Sequence, residues 1–189
     1  MDYRIWIRNY LKHPIQLGSL LPSSAKVGDL IVDHIRPNNE GPILELGAGT
    51  GRGTNAILRK GIKQSNLVLV EKSPDFCRLL NNLFPEATVL CADAMEIDHL
   101  SSDLGIEGYK EIVSAIPLRM ISSQVREAIF LKSLNLLEHK GSISQVTFLP
   151  RCPIPDTVIQ SASVRLIYNG MSFRNLPPAF VWRVEKIRA

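Results

Sequence analysis

The stretch Glu45-Leu46-Gly47-Ala48-Gly49-Thr50-Gly51 decides the fold, because it joins a short apolar run to a helix-forming segment. Ile43 to Leu46 predicts a strand, and residues 54–60 predict a helix that stops near Gly61. Glycines at alternate positions let the backbone turn tightly and approach a ligand closely. The spacing differs from G-x-G-x-x-G, which weakens a dinucleotide interpretation. A nucleoside ligand and simple packing of helix against strand remain the two alternatives.

Two further acids stand at the ends of the next two predicted strands. Glu71 follows the apolar run Leu67 to Val70, where a carboxylate can accept hydrogen bonds from both ribose hydroxyls of a nucleoside. Asp93 lies in Cys91-Ala92-Asp93-Ala94-Met95, where it can accept from the exocyclic amine of adenine. The alternatives are a solvated strand-end carboxylate for Glu71 and a helix N-cap for Asp93.

Short apolar strands alternate with helix-like stretches from Pro42 onward. This alternation predicts a mostly parallel sheet with helices on both faces, in which ligands bind beyond the carboxyl ends of the strands. The seven predicted strands are residues 43–46, 67–70, 87–91, 111–116, 143–148, 164–168 and 180–187. A helix is predicted from Pro74, with Ser73 as its N-cap, and a long amphipathic helix over residues 122–137.

Composition indicates an ordinary globular protein. The 189 residues suit a single domain, and 45% of them are hydrophobic and 21% charged. The sequence shows neither a transmembrane run nor a signal peptide, so we expect a cytoplasmic protein. Three scattered cysteines and four histidines without ligand spacing predict no metal site. The net charge of +4 favours an anionic partner, either nucleic acid or an acidic membrane face.

The order of glycine loop, acid and acid along three strand ends resembles class I S-adenosylmethionine-dependent methyltransferases. The resemblance implies a Rossmann-like fold with S-adenosylmethionine as the cofactor. It also implies that Glu45 lies near the methionine end, that Gly47 and Gly49 make room for the cofactor, and that Glu71 binds ribose and Asp93 adenine. The other residues expected along the cofactor are Ser23, Ala48, Gly51, Lys72, Ala92, Ala94 and Ser114.

The turn Ser114-Ala115-Ile116-Pro117-Leu118 follows the fourth predicted strand. In adenine N6-methyltransferases the corresponding motif has Asn or Asp, then Pro-Pro or Leu-Pro, then an aromatic that stacks on the flipped base. Ala115 stands in the place of the amide and Leu118 in that of the aromatic, which weakens the case for nucleic-acid methylation. A ribosomal RNA adenine methyltransferase remains an alternative, which the basic charge and the general fold support.

The amino terminus has the pattern of a basic amphipathic helix. At roughly 100° per residue, aromatic and aliphatic side chains fall on one face and basic side chains recur beside them. Trp6 and Tyr10 lie on the apolar side, and Arg4, Arg8 and Lys12 on the basic side. Such a helix suits an anionic membrane surface, and the alternative is a helix that packs on the domain. We expect residues 1–24 to form this helix and a segment that covers the cofactor.

Segments at both ends of the chain resemble bacterial phospholipid N-methyltransferases. They are Trp6-Ile7-Arg8-Asn9-Tyr10-Leu11-Lys12-His13-Pro14, residues 18–24, 69–77 and 114–117, and Phe173-Arg174-Asn175-Leu176-Pro177-Pro178-Ala179. The resemblance implies methyl transfer to the amine of phosphatidylethanolamine by a peripheral protein at the inner membrane face. Its N-terminal helix would dock on the membrane, and no nucleic acid would be bound. One departure is Ala115, where that family often has glycine, and its methyl group narrows the expected acceptor pocket.

Tyr10, Ser114 and Pro117 are the candidates for lining the acceptor site, although Tyr10 suits a membrane-boundary or packing position equally well. The sulfonium methyl is activated by the cofactor itself, so the protein mainly supplies proximity and orientation. A further alternative is a lipid-surface binding module without turnover. The complete set of Glu45, the glycines, Glu71 and Asp93 argues against that alternative.

Overall fold

Seven strands form one sheet in the computed structural model, which describes residues 25–36, 41–161, 163–175 and 177–187. The strands are β1 (Ile43–Leu46), β2 (Leu67–Glu71), β3 (Thr88–Cys91), β4 (Tyr109–Ser114), β5 (Leu137–Thr147), β6 (Val164–Ser172) and β7 (Ala179–Lys186). Their order in the sheet is β3-β2-β1-β4-β5-β7-β6. β7 runs antiparallel to both β5 and β6, and the other neighbouring strands are parallel. The predicted seven-stranded, mostly parallel sheet is confirmed.

Helices connect the strands and cover the sheet. They are α1 (Ala25–Ile31), α2 (Arg52–Arg59), α3 (Pro74–Leu83), α4 (Ile97–Asp103), α5 (Ser123–Leu136) and α6 (Asp156–Ser161). α5 begins as predicted, because the Ser122 side chain accepts a hydrogen bond from the Val125 backbone. The strands β4 and β5 start earlier than predicted, and β5 includes the left-handed residue Lys140 (φ 67°).

The core lies on both faces of the sheet, because successive strand residues point to opposite sides. Ile43, Leu69 and Val113 pack on the face that also holds Val27 of α1 and Ile57 of α2. On the opposite face, the strand residues Leu44, Val70, Ile112 and Ile143 pack with Ile129 and Phe130 of α5. None of the helices in the described part of the chain has the length and apolarity to span a bilayer.

The predicted amphipathic helix of residues 1–24 lies outside the described residues. So do the expected cofactor contact Ser23, the acceptor-site candidate Tyr10, and the proposed membrane contacts Arg4, Trp6, Arg8 and Lys12. These remain predictions from the sequence.

Candidate active site

The parallel strands bring the predicted site residues to one edge of the sheet. β1 to β5 run in the same direction, and β6 shares it because both β5 and β6 are antiparallel to β7. The carboxyl ends of these six strands therefore lie along one edge, which we call the carboxyl edge. It carries the glycine loop after β1, Glu71 at the end of β2, Asp93 after β3 and Ser114 at the end of β4.

The glycine loop, residues 47–51, lies against the turn that follows β4. Gly47, Gly49 and Gly51 have φ values of 73°, 53° and 75°, a region that L side chains rarely adopt. A Cβ atom on Gly47 would lie 3.1 Å from Cγ1 of Ile116 and 3.3 Å from the Ile116 nitrogen. The loop can approach the turn this closely only without a side chain, so the predicted cofactor loop and the predicted acceptor turn share one site.

Glu45 lies beneath the loop with 1% of its surface exposed. Its Oε2 accepts a 2.6 Å hydrogen bond from the Thr54 hydroxyl, near the start of α2. Burial raises the pKa of Glu45 from an ordinary 4.5 to about 7, against the opposing effect of Thr54. The Oε1 atom lies so close to Gly53 that a Cβ at this position would overlap with it. Glu45 thus shapes the base of the site and requires glycine at position 53, which the sequence did not predict.

Glu71 fixes the glycine loop from the neighbouring strand. Its Oε2 accepts a 2.9 Å hydrogen bond from the Gly49 backbone N–H, and its Oε1 accepts one of 2.8 Å from the Ser73 N–H. Burial raises the pKa of Glu71, and these backbone donors act in the opposite direction. A carboxylate can accept about four hydrogen bonds, so Glu71 keeps capacity for the hydroxyls of a ribose.

Asp93 caps the short 3-10 helix Ala94–Glu96, since its Oδ1 accepts from the Met95 backbone N–H at 3.0 Å. Its Oδ2 lies 2.8 Å from Nζ of Lys72, and this hydrogen bond is the main cause of a lowered Asp93 pKa. The N-cap that the sequence left as an alternative is therefore present. Neither contact uses all of the acceptor capacity of Asp93, so an adenine amine can still be accommodated.

The other predicted cofactor residues surround these three acids. Ala48 is buried in the glycine loop, and the Ala92 N–H donates to the Glu71 carbonyl at 3.1 Å. Ala94 is buried at the start of the turn that Asp93 caps. A Cβ on Gly51 would overlap with the ring of Phe84, so this glycine is also required by the core.

The acceptor turn, residues 114–118, differs in exposure from one position to the next. Ala115 is exposed, whereas Leu118 is 2% exposed and packs with Ile112 and Phe130 in the core. The position of a base-stacking aromatic is therefore filled by an aliphatic side chain that points into the core.

Ser114 and Pro117, the two described candidates for lining the acceptor site, both lie in this turn. Ser114 is 2% exposed, and its Oγ has no hydrogen-bond partner among the described residues. Pro117 precedes the 3-10 helix Leu118–Met120. The turn thus places a buried hydroxyl without a partner next to the glycine loop.

Gln145 of β5 is a site residue that the sequence analysis missed. It is the register partner of Ser114, and its Nε2 donates a 2.9 Å hydrogen bond to the Ile116 carbonyl in the acceptor turn. Its Oε1 is buried without a partner in the described part of the chain. The predicted strand 143–148 also contains the polar residues Ser144 and Thr147, so no signal in the sequence singles out Gln145.

The residues that the structure describes contain no group of three His, Cys, Asp or Glu side chains placed to hold a metal ion.

Comparisons with known proteins identify methyltransferases. A family model described as ribosomal RNA adenine dimethylase matches residues 12–150. An ornithine lipid N-methyltransferase from Singulisphaera acidiphila is 27% identical over 185 residues, which cover 94% of this chain and 93% of that protein. A ribosomal RNA small subunit methyltransferase A from Maridesulfovibrio salexigens is 34% identical over 87 residues, covering 46% of this chain and 32% of the longer enzyme.

A solved structure confirms the fold. The N-methyltransferase NodS from Bradyrhizobium japonicum, determined with S-adenosyl-L-homocysteine, superimposes with a TM-score of 0.62 at 11% identity, covering 86% of this chain and 85% of NodS. Together with the family match, this confirms the predicted Rossmann-like methyltransferase fold and the predicted cofactor, S-adenosylmethionine. The glycine loop suits that cofactor. A Cβ on Gly47 would contact the turn after β4, and the Gly49 N–H donates to the Glu71 carboxylate.

Proposed function

We propose that this chain, which belongs to the ribosomal RNA adenine dimethylase family of S-adenosylmethionine-dependent methyltransferases, methylates the primary amine of a membrane-lipid headgroup. The acceptor turn carries this proposal. Recognition of a flipped adenine uses a polar side chain and a stacking aromatic, and this turn has an exposed Ala115 and a buried Leu118 in their places. An amine headgroup needs neither of them.

The unpaired oxygens beside the turn suit an amine acceptor. Ser114 Oγ and Gln145 Oε1 are adjacent acceptors across the β4–β5 pair, and the described residues offer neither of them a donor. Buried polar atoms in native proteins are nearly always satisfied, and an unsatisfied pair at a site is a candidate for completion by ligand. The N–H groups of a neutral primary amine would supply the missing donors. The turn would then hold the nitrogen lone pair towards the glycine loop.

The cofactor supplies an activated methyl group on a sulfonium, so the work of the protein is positioning. Glu71 would orient the ribose while it holds Gly49, and Asp93 would orient the adenine. Gln145 holds the Ile116 carbonyl, and Gly47 lets that turn approach the cofactor loop. Both reactants would therefore be held in place by elements of one sheet edge.

We take phosphatidylethanolamine as the first acceptor to test, because the segments at both ends of the chain resemble phospholipid N-methyltransferases. The relative from Singulisphaera acidiphila is named for ornithine lipid, which gives a second acceptor to test. Both acceptors would be reached by a peripheral protein at the inner membrane face, with the N-terminal basic helix as one contact.

Methylation of adenine in ribosomal RNA is the second candidate function. The family description and the 34% identity to a ribosomal RNA methyltransferase over 87 residues favour it. The composition of the acceptor turn argues against it.

A methyl-transfer assay separates these functions. The purified chain is incubated with methyl-labelled S-adenosylmethionine and, in parallel, with vesicles that contain phosphatidylethanolamine, vesicles that contain ornithine lipid, and unmodified small-subunit ribosomal RNA. We expect label in the lipid extract. The Glu71→Ala variant serves as the inactive control. Label in RNA but in neither lipid would overturn the proposal, as would confirmed cofactor binding without transfer to any lipid amine.

A further inference from the structure

We propose that the loops beyond β4, β5 and β6 form a second membrane contact, which seats the carboxyl edge directly on an anionic lipid surface. The inference rests on the proposed lipid substrate and adds how that substrate is reached. We call this surface the carboxyl rim. It consists of Arg119, Met120, Leu149, Arg151, Phe173 and Arg174.

Strand register places the rim loops at one level. Thr147 of β5 pairs with Phe180 of β7, and Phe180 pairs with Met171 of β6. Leu149 lies two residues after Thr147, in the loop after β5, and Phe173 lies two residues after Met171, in the loop after β6. Only β7 separates these two strands. Strands lie about 4.8 Å apart in a sheet, so the two loops leave the sheet roughly 10 Å from each other.

The turn after β4 belongs to the same surface. Nη1 of Arg119 lies 3.4 Å from the carbonyl of Cys152 in the loop after β5. This contact joins the turn that contains Met120 to the segment that carries Leu149 and Arg151. The rim thus borders the acceptor turn, on the half of the carboxyl edge that the cofactor residues do not use.

The rim exposes large apolar side chains in three separate loops. Met120 is 49% exposed, Leu149 50% and Phe173 74%. Single exposed apolar residues are common on protein surfaces and need no explanation. Three of them in neighbouring loops beside one site form a surface that water solvates poorly and that an acyl boundary would cover.

Basic side chains alternate with these apolar residues along the chain. Arg119 precedes Met120, Arg151 follows Leu149 by two positions, and Arg174 follows Phe173. No ion pair among the described residues uses any of these three arginines. Apolar groups interleaved with such cations complement the headgroup region of an anionic membrane.

The site's position favours a membrane as the partner. A lipid amine reaches the acceptor turn from the bilayer only if the carboxyl edge faces that bilayer, and the rim is the part of this edge next to the turn. Docking through the opposite edge would leave the headgroup on the wrong side of the sheet.

Vesicle flotation with two double variants tests this surface. The wild-type chain, F173S/L149S and R151Q/R174Q are compared on vesicles of phosphatidylcholine with phosphatidylglycerol and on phosphatidylcholine alone. We expect R151Q/R174Q to bind the anionic vesicles about 30-fold more weakly, at roughly fivefold for each basic residue near the surface. F173S/L149S should lose binding to both vesicle types by about tenfold or more. The matched control is L83S, because Leu83 is also 50% exposed and ends α3 at the opposite edge of the sheet.

A fluorescence measurement gives a second result that locates the membrane contact on the rim. The Phe173→Trp variant should show a blue shift and quenching by brominated lipid when anionic vesicles are added, measured against the parent tryptophans, and Leu83→Trp should show neither. Neither readout requires methyl transfer, so failure of the lipid assay leaves this test intact. Unchanged vesicle binding of both double variants, with no quenching of the introduced tryptophan in Phe173→Trp, would overturn the proposal and assign the rim to another partner or a second copy. Reduced binding of the double variants, with quenching in Phe173→Trp, would support it.

Discussion

The carboxyl edge has two halves: the cofactor half at the ends of β1 to β3, and the acceptor half at the ends of β4 and β5. They differ in how completely their polar groups are hydrogen-bonded. On the cofactor half, Glu45, Glu71 and Asp93 each hold a donor from the protein. On the acceptor half, Ser114 Oγ and Gln145 Oε1 have no donor among the described residues. The cofactor half is therefore held together by the protein itself, whereas the acceptor half has polar groups that the proposed amine would satisfy. A pre-organised half reduces the ordering cost of binding, and an unsatisfied half favours the ligand that completes it.

The largest expected effect comes from breaking the paired half at Glu71. Glu71→Ala removes the acceptor of the Gly49 N–H and two expected ribose contacts, each a charge-assisted hydrogen bond. The Gly49 bond lies within the protein, so the loss of cofactor affinity comes from the two ribose contacts, which at about 1.5 kcal/mol or more apiece correspond to about a hundredfold or more. Titration calorimetry with S-adenosylhomocysteine measures this loss. Glu107→Ala, an exposed carboxylate away from the edge, is the control, and equal affinities in the two variants would contradict the assigned role.

Glu45 makes the stability of the cofactor half depend on pH. The folded pKa is raised to about 7 from 4.5 by burial, so the folded state holds this proton more tightly than the unfolded state. The contribution of Glu45 to stability is therefore full below pH 4.5 and is lost as the pH rises to about 7. Glu45→Gln should be similar to the parent at pH 4 and more stable by roughly 3 kcal/mol above pH 8, because each pH unit between the folded and unfolded pKa values corresponds to about 1.36 kcal/mol.

Urea unfolding of the parent and Glu45→Gln at several pH values measures this difference. Glu107→Gln controls for a general effect of removing one negative charge. A stability difference between Glu45→Gln and the parent that stays constant from pH 5 to pH 9 would be the contrary result.

Gly53 tests how closely the cofactor half is packed. A Cβ at this position would overlap with Oε1 of Glu45, which Thr54 holds in place. Gly53→Ala should therefore lower the free energy of unfolding by about 2 kcal/mol, although alanine is otherwise the better helix former. The same substitution in a Glu45→Ala background should cost little, since the clashing carboxylate is gone. A double-mutant cycle with no coupling between the two positions would refute the contact.

Most of the cofactor half was predictable from the sequence, as were Ser114 and Pro117 of the acceptor turn, whereas Gly53 and Gln145 were not, for physical reasons. Glycines that need positive φ and acids at strand ends follow from local pattern, so Gly47, Glu71 and Asp93 were identified correctly as edge residues. Gln145 and Gly53 act across the sheet or across a loop, and such contacts depend on register. The helices α1, α4 and α6 have six or seven residues, too few to show a helical period. The carboxyl rim could not be predicted, because its location depends on the direction in which β6 runs in the sheet, and the sequence alone does not supply that direction.

The smallest expected effect tests the unpaired half through Gln145. Gln145→Met keeps the length of the side chain but removes the donor to the Ile116 carbonyl, so the acceptor turn loses its support from β5. It also removes a buried unpaired oxygen. The effects of these two changes on the free energy of unfolding should nearly cancel. We expect about a tenfold fall in kcat with unchanged S-adenosylhomocysteine affinity, because only the positioning of the acceptor is altered. Ser144→Ala is the control, since Ser144 is equally buried in β5 but points to the opposite face of the sheet. If Gln145→Met lost stability and kept its kcat, Gln145 would be a core residue, and the two halves of the edge would differ only in composition.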